Sequence, residues 1–230
     1  MKKVGIIVFI VALVLGIAVS GAFSFGSFSP GIFSFNRSIK GSGVSKSEQR
    51  NVSEFKNIEV GGVFKVEVTI QDNFDVRVEA DDNLLEYIKT DVDGETLEIS
   101  TTKRISTRSP IIVRVGAPAL DKIDCSGASK MSIVNLDNTD FTANISGASA
   151  VSAAGKTKNL RVELSGASRI DAGQLAAEIV WVEGSGASKA DVSVSEKLDA
   201  DLSGASRVSY SGSPKDIRKD VSGASSVRQN

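Results

Sequence analysis

The chain has 230 residues, 41% of them hydrophobic, with 27 basic and 28 acidic side chains and a formal net charge of −1. That is enough apolar material for a substantial core, and the balanced charge gives no general attraction to nucleic acid. The lack of histidine removes the commonest general base and metal ligand, and a single cysteine, Cys125, rules out a disulfide within the chain.

Met1-Lys2-Lys3 precedes an apolar run from Val4 to Val19, the basic start and hydrophobic centre of an export signal. Ala18-Val19-Ser20 before Gly21 is a small-residue cleavage site, while the uncharged continuation through Ala22 brings the segment near the length of a bilayer-spanning helix. Residues 1–22 therefore read as a cleaved signal or as an anchor that holds the chain to a membrane. The expected location is exported: periplasm, outer membrane or cell surface. No cysteine follows the apolar run, which argues against a lipoprotein. Residues 23–50, rich in Ser and Gly, read as a linker. Phe23, Phe25, Phe28, Phe33 and Phe35 recur too often for a plain spacer, so a membrane-interface segment is the alternative.

Residues 51–118 alternate as strands do. Phe64, Val66, Val68 and Ile70 are separated by Lys65, Glu67 and Thr69, and Val76, Val78 and Ala80 by Arg77 and Glu79. Asp93-Gly94, between Tyr87-Ile88 and Leu97-Glu98-Ile99, is a hairpin signal. This stretch is expected to form irregular first coils or a small β cap continuous with the C-terminal half of the chain.

From residue 119 onward the chain repeats itself. Ser-Gly-Ala-Ser begins at Ser126, Ser146, Ser165, Ser185, Ser203 and Ser222, at intervals of 20, 19, 20, 18 and 19 residues. Such a period means one small unit copied and stacked, each copy burying its apolar face against its neighbours. Counting back from the first Ser, position −5 holds Asp121, Phe141, Leu160, Val180, Leu198 and Ile217; position −3 holds Ile123, Ala143, Val162, Val182, Ala200 and Lys219. Position −1 holds Cys125, Ile145, Leu164, Gly184, Leu202 and Val221, and the positions between are polar. Past the tetrapeptide the alternation resumes with Met131, Val151, Ile170, Ala190, Val208 and Val227. Each unit thus reads as strand, tight corner, strand. About 19 residues at roughly 3.3 Å each make a path of about 60 Å, which suits one coil of a β-solenoid. The Leu and Asn framework of leucine-rich repeats is missing. Gly127, Gly147, Gly166, Gly186, Gly204 and Gly223 are the structural corners, supplying a positive φ or a close backbone approach. The serines beside them are expected to stack, their hydroxyls forming a ladder along the axis.

Two charged phases flank the corners. Asp124, Glu163, Glu183, Asp201 and Asp220 occupy position −2, and Lys130, Arg169, Lys189 and Arg207 follow the tetrapeptide. The plain reading is a solvated face with opposite charges compensating across the corner. The functional reading is a rim for calcium, anionic glycan or envelope polymer. Trp181 stands at position −4, where its equivalents Lys122, Thr142, Arg161, Asp199 and Arg218 are polar, so it is expected to point outward with Glu163, Glu183 and Asp201 as a weak contact site. Asp171 and Asp191 share a phase on adjacent coils, near the carboxylate separation of retaining glycosidases, and would carry catalysis in a polysaccharide-active β-helix enzyme. Six copies of one Ser motif cannot all be nucleophiles; repetition favours structure. Cys125 sits at an inward phase and reads as a buried free thiol. At the last coil Lys219, at a normally inward phase, together with Arg218, Arg228 and Gln229, reads as edge blocking by charge.

Phe55-Lys-Asn-Ile-Glu-Val-Gly61, Val76-Arg-Val-Glu-Ala-Asp-Asp-Asn-Leu-Leu85, Pro110-Ile-Ile-Val-Arg-Val115, Pro118-Ala-Leu-Asp-Lys-Ile123 and the iterated Ser-Gly-Ala together resemble the bacterial head GIN domain family, autotransporter adhesins, over residues 51–230. The resemblance implies a β-helical, exported, non-enzymatic module whose ligand is generally undefined, with no cofactor and no catalytic residues to carry over. The expected protein is thus all-β: a parallel β-solenoid over residues 119–230, preceded by an N-terminal β region. It serves an adhesin-like binding or structural role toward an envelope component or glycan. The alternative is the enzyme that would use Asp171 and Asp191.

Overall fold

The computed structural model describes residues 38–230, so the hydrophobic segment at 4–22 and the first part of the Phe-rich linker lie outside the described residues. The described chain is nearly all strand. Its first ten strands are β1 (Ile39–Lys40), β2 (Ser45–Arg50), β3 (Asn57–Gly62), β4 (Lys65–Ile70), β5 (Asp75–Asp81), β6 (Ile88–Asp93), β7 (Thr96–Thr101), β8 (Ile105–Ser106), β9 (Ile112–Ala117) and β10 (Lys122–Gly127). Then come β11 (Lys130–Ile145), β12 (Ala150–Leu164), β13 (Arg169–Gly184), β14 (Lys189–Leu202), β15 (Arg207–Ser211), β16 (Asp216–Val221) and β17 (Ser226–Gln229). Apart from the short β1–β8 pair, all belong to one sheet that coils as a parallel β-solenoid, with the one short 3-10 helix at Asp82–Tyr87.

Each coil has a leading face before the corner and a trailing face after it. On the leading face β3, β10 and the second halves of β11 to β14 pair in parallel, ending at β16. On the trailing face β4 and the first halves of β11 to β14 pair in parallel, ending at β15 and β17. The four long strands do not stop between faces. β11 bends through Asn135 (φ 63°) and β12 through Gly155 (φ 136°), beside the points where the register between coils shifts, while β13 and β14 bend without a positive φ, and all four run on into the next leading face.

Alternation produces the core as expected: Ile123, Cys125, Val162, Leu164, Val182 and Leu202 are buried between polar neighbours. Most of this core is Val, Ile, Leu and Ala, which suits a narrow coil. Two positions depart from the repeat. Asp121 is exposed and Leu120 takes the buried place beside it. Lys219 is exposed because no coil lies over β16; its ammonium stands 5.5 Å from the Tyr210 ring centroid, above an end of the core where Ile217 and Val221 are each 40% exposed.

The corners stack glycine on glycine. Gly127, Gly147, Gly166, Gly186, Gly204 and Gly223 all have φ between 70° and 80°, and each carbonyl that has a coil above accepts the N–H of that coil's alanine: Ala148 to Gly127, Ala167 to Gly147 and Ala187 to Gly166, each 2.8 Å. The first corner of the stack carries no tetrapeptide. It is Gly61-Gly62-Val63-Phe64, and the Gly62 carbonyl accepts from Ala128 at 2.8 Å. Between this corner and the next the chain departs into antiparallel β5, which pairs β9 and β2, and into the β6–β7 hairpin at Gly94. The span 51–118 is therefore one full coil plus an inserted patch in which β7 and β9 extend the two faces by parallel pairing to β3 and β4, while β5 and β6 pair antiparallel, all continuous in one sheet with the solenoid.

Two strands, β1 and β2, lie within the stretch 23–50 that the sequence reads as a linker. Nothing in the sequence marks β2, because it is an exposed edge strand, Ser-Lys-Ser-Glu-Gln-Arg, held by backbone pairing to β5 with no buried face to impose alternation.

The second serine of each tetrapeptide turns inward, and Ser129, Ser149, Ser168, Ser188 and Ser206 are buried. The hydroxyl ladder forms only in part. Ser188 donates to Ser206 at 3.1 Å and Ser206 to the Ser203 carbonyl at 2.9 Å, while Ser129 donates to the Gly62 carbonyl at 3.1 Å. Among the described residues the Ser168 hydroxyl has no hydrogen-bond partner, and the Ser149 hydroxyl has only the neighbouring Cys125 thiol within reach. A buried hydroxyl without a partner costs about 1 kcal/mol or more. Ser168→Ala is expected to leave stability unchanged or raise it by about 1 kcal/mol, and Ser206→Ala to lower it by a similar amount. Equal losses in urea denaturation would contradict the difference between the two sites. Cys125 is buried beside them; burial pushes its thiol up, and the Ser149 hydroxyl acts in the opposite direction.

Candidate functional site

The acids at position −2 form one column across the leading face. Pairing places Asp124, Asn144, Glu163, Glu183, Asp201 and Asp220 side by side in register. The column extends beyond the repeats to Glu59 on β3, Glu98 on β7 and Asp91 on β6. These three were not legible from spacing, because the inserted patch separates Glu59 from Asp124 by 65 residues. The usable signal was Gly61-Gly62, a corner without a tetrapeptide. Glu59, Asp124, Glu163, Glu183 and Asp201, together with the first serines of the corners from Ser126 to Ser203, line a shallow groove of about 620 Å³. Asn144, the one neutral member, donates to Asp124 Oδ1 at 2.7 Å.

Compensation across the corner does not occur. The ion pairs stay on their own face: Lys122 with Asp124 at 2.8 Å, Arg161 with Glu183 at 3.5 Å, Lys65 with Glu67 at 2.6 Å and Lys189 with Asp191 at 2.7 Å. The leading and trailing strands turn their outer side chains in different directions at the corner, so charges six residues apart do not meet. The bond from Lys122 to Asp124 raises the Lys122 ammonium above the usual lysine range. Among the described residues no group of three or more acidic or Cys side chains converges as a metal site; carboxylates in a parallel column stand side by side.

Trp181 lies on the outer side of β13, in register with Arg161 and Asp199, and is partly covered by the Arg161 guanidinium 5.8 Å from its ring centroid. Its emission is expected to be red-shifted and quenched by acrylamide, and Arg161→Ala should raise the quenching constant by roughly half, since the arginine covers one side of the ring. A blue-shifted, shielded indole would place the side chain elsewhere.

Asp171 and Asp191 do pair as neighbours on adjacent coils of the trailing face. Asp171 is exposed, its Oδ1 accepting the Gly173 N–H at 3.2 Å, and Asp191 accepts from Lys189. The two stand on an outer strand face, flanked by Ser152 and Ser209, and Asp171 borders a shallow, open groove of about 270 Å³ there.

The coiled sheet, with its polar side chains displayed in columns on open faces, is that of a parallel β-solenoid protein. The chain belongs to the family described as "Putative auto-transporter adhesin, head GIN domain", whose profile matches residues 54–214. No curated protein matches the sequence. Three crystal structures share the fold. One, described as "a putative adhesin" from Bacteroides fragilis NCTC 9343, is 22% identical with a TM-score of 0.70, covering 84% of this chain and 100% of that one. A second, so described from Parabacteroides merdae ATCC 43184, is 16% identical with a TM-score of 0.56, covering 84% and 98%. The third, a "Putative lipid binding protein" from Parabacteroides distasonis ATCC 8503, is 18% identical with a TM-score of 0.53, covering 84% and 100%.

Proposed function

We propose that this chain is an exported, non-catalytic adhesin-like protein that engages a glycan or other envelope component along the leading face of its solenoid, with Glu163, Glu183, Asp201 and Trp181 as contact residues. The observation that carries this reading is the groove itself. It is long, open and lined by one column of carboxylates, with an aromatic ring one column away. An extended ligand meets the same chemistry at every coil, so weak contacts add along its length. The acidic face favours partners with amino or other cationic groups and slows approach of anionic ones. Export rests on the basic start and apolar run of residues 1–22, which either are removed or tether the domain to a membrane.

The test is a glycan and envelope-polymer array probed with the full chain. At least one polymer class should be retained, and Trp181→Ala combined with Glu163→Gln and Glu183→Gln should weaken retention tenfold or more. Retention unaffected by those changes would remove the leading face from the account. Polymer cleavage that is lost in Asp171→Asn would replace binding with the enzyme reading.

A further inference from the structure

The charges on the two sides of each corner are matched coil by coil. Two residues before the corner and four after it stand Glu59 with Lys65, Asp124 with Lys130, Glu163 with Arg169, Glu183 with Lys189, and Asp201 with Arg207. In the one coil of this series where the acid gives way to neutral Asn144, the base gives way to neutral Ala150. Only the last coil, Asp220 with Ser226, departs from the match. Backbone pairing lines the acids up in one stripe and the bases in another, and the exposed Gly and Ala of the corners form a low ridge between them.

Within the molecule this match is not used. No acid of one stripe forms an ion pair with a base of the other, and among the described residues Glu163, Asp201, Arg169 and Arg207 have no ion-pair partner. A polymer lying on either stripe would leave the match unexplained as well, since it would read one sign of charge and have no reason to require both neutral positions in the same coil.

We propose that the matched stripes are the two halves of one self-complementary surface, and that its partner is a second copy of this chain packed parallel to the first, ridge against ridge. A twofold axis parallel to the solenoid axis exchanges left and right while keeping height. It therefore lays the acidic stripe of each copy on the basic stripe of the other, Glu163 against Arg169 and Asp201 against Arg207, with Asn144 against Ala150; the dimer covers the acids named above as ligand contacts, so dimer and ligand-bound chain are alternative states. Antiparallel copies, related by an axis across the ridge, would lay acid on acid. The small ridge residues let the two backbones approach closely enough for the charges at both margins to reach.

Disulfide trapping on the full chain tests this. Ala187 is exposed on the ridge, close to the proposed axis, so mild oxidation of Ala187→Cys should give a covalent dimer; Cys125 is buried and does not compete. Ser213→Cys, exposed at a loop off the ridge, should stay monomeric. In the Ala187→Cys background, Glu163→Lys with Asp201→Lys should cut trapping at least tenfold. Adding Arg169→Glu and Arg207→Glu should restore it, because the exchanged stripes are again complementary, and raised salt should weaken it throughout. The proposal is overturned if Ala187→Cys traps no better than Ser213→Cys, or if the fourfold exchange fails to restore what the acid reversals removed.

Discussion

Gly166→Val is expected to destabilise the protein by about 4 kcal/mol, lowering the melting temperature by roughly 10 °C. Two effects add. Gly166 has a φ of 75°, a conformation that costs a β-branched residue about 1–3 kcal/mol. A Cβ there would also stand 2.7 Å from the Gly147 carbonyl oxygen, which is the acceptor for Ala167 N–H at 2.8 Å. The contact is with backbone, so no rotamer relieves it; the coils must separate, and the corner hydrogen bond lengthens when they do. Gly173 provides the control. Its φ is not positive, and an added Cβ meets only Asp171 Oδ1 at 3.5 Å, so Gly173→Ala should change stability by less than about 1 kcal/mol in either direction. Calorimetry on both variants separates corner strain from a general intolerance of side chains: similar losses would mean that the stacked corner is not what Gly166 maintains.

The solenoid was legible because its constraint is local and repeated. A corner that needs positive φ selects Gly, close stacking selects Ser and Ala beside it, and a half-buried strand on either side imposes alternation. Six copies of that pattern leave little freedom. Where the constraint came from pairing rather than from the residue's own conformation, the sequence was silent. Gly61-Gly62-Val63-Phe64 makes the same corner with Phe64 in the buried place of the second serine, and only its glycine pair ties it to Ser126 across the inserted patch. β2 has no buried face at all. The same division holds at the candidate site. The acidic phase was readable from spacing, but its extension through Glu59, Glu98 and Asp91 depends on which strands become neighbours. The expectation of compensation across the corner failed for a related reason: six residues of chain bring Glu163 near Arg169 in sequence, while the turn of the corner points their side chains apart.

Phe141→Ala should be as damaging as the corner substitution, by about 4 kcal/mol, for the opposite physical reason. Phe141 is 1% exposed and is the sole Phe in the repeat region, at the foot of an inward column that continues in register through Leu160, Val180 and Leu198. In the coil below Asp121 is exposed and Leu120 takes the buried place, so the ring is the one aromatic among aliphatic side chains of the neighbouring coils. Truncation leaves a cavity between two faces whose separation is fixed by the corner stack. The coil therefore has little room to collapse, and cost rises with the residual cavity. Phe141→Leu keeps the column's chemistry and most of its volume, and should cost about 1 kcal/mol. Urea titration of the two variants decides the matter. If Phe141→Leu is as harmful as Phe141→Ala, the ring's shape rather than its volume is what the coil requires; if both are mild, the faces close over the vacancy and the stack is softer than its hydrogen-bond ladder implies.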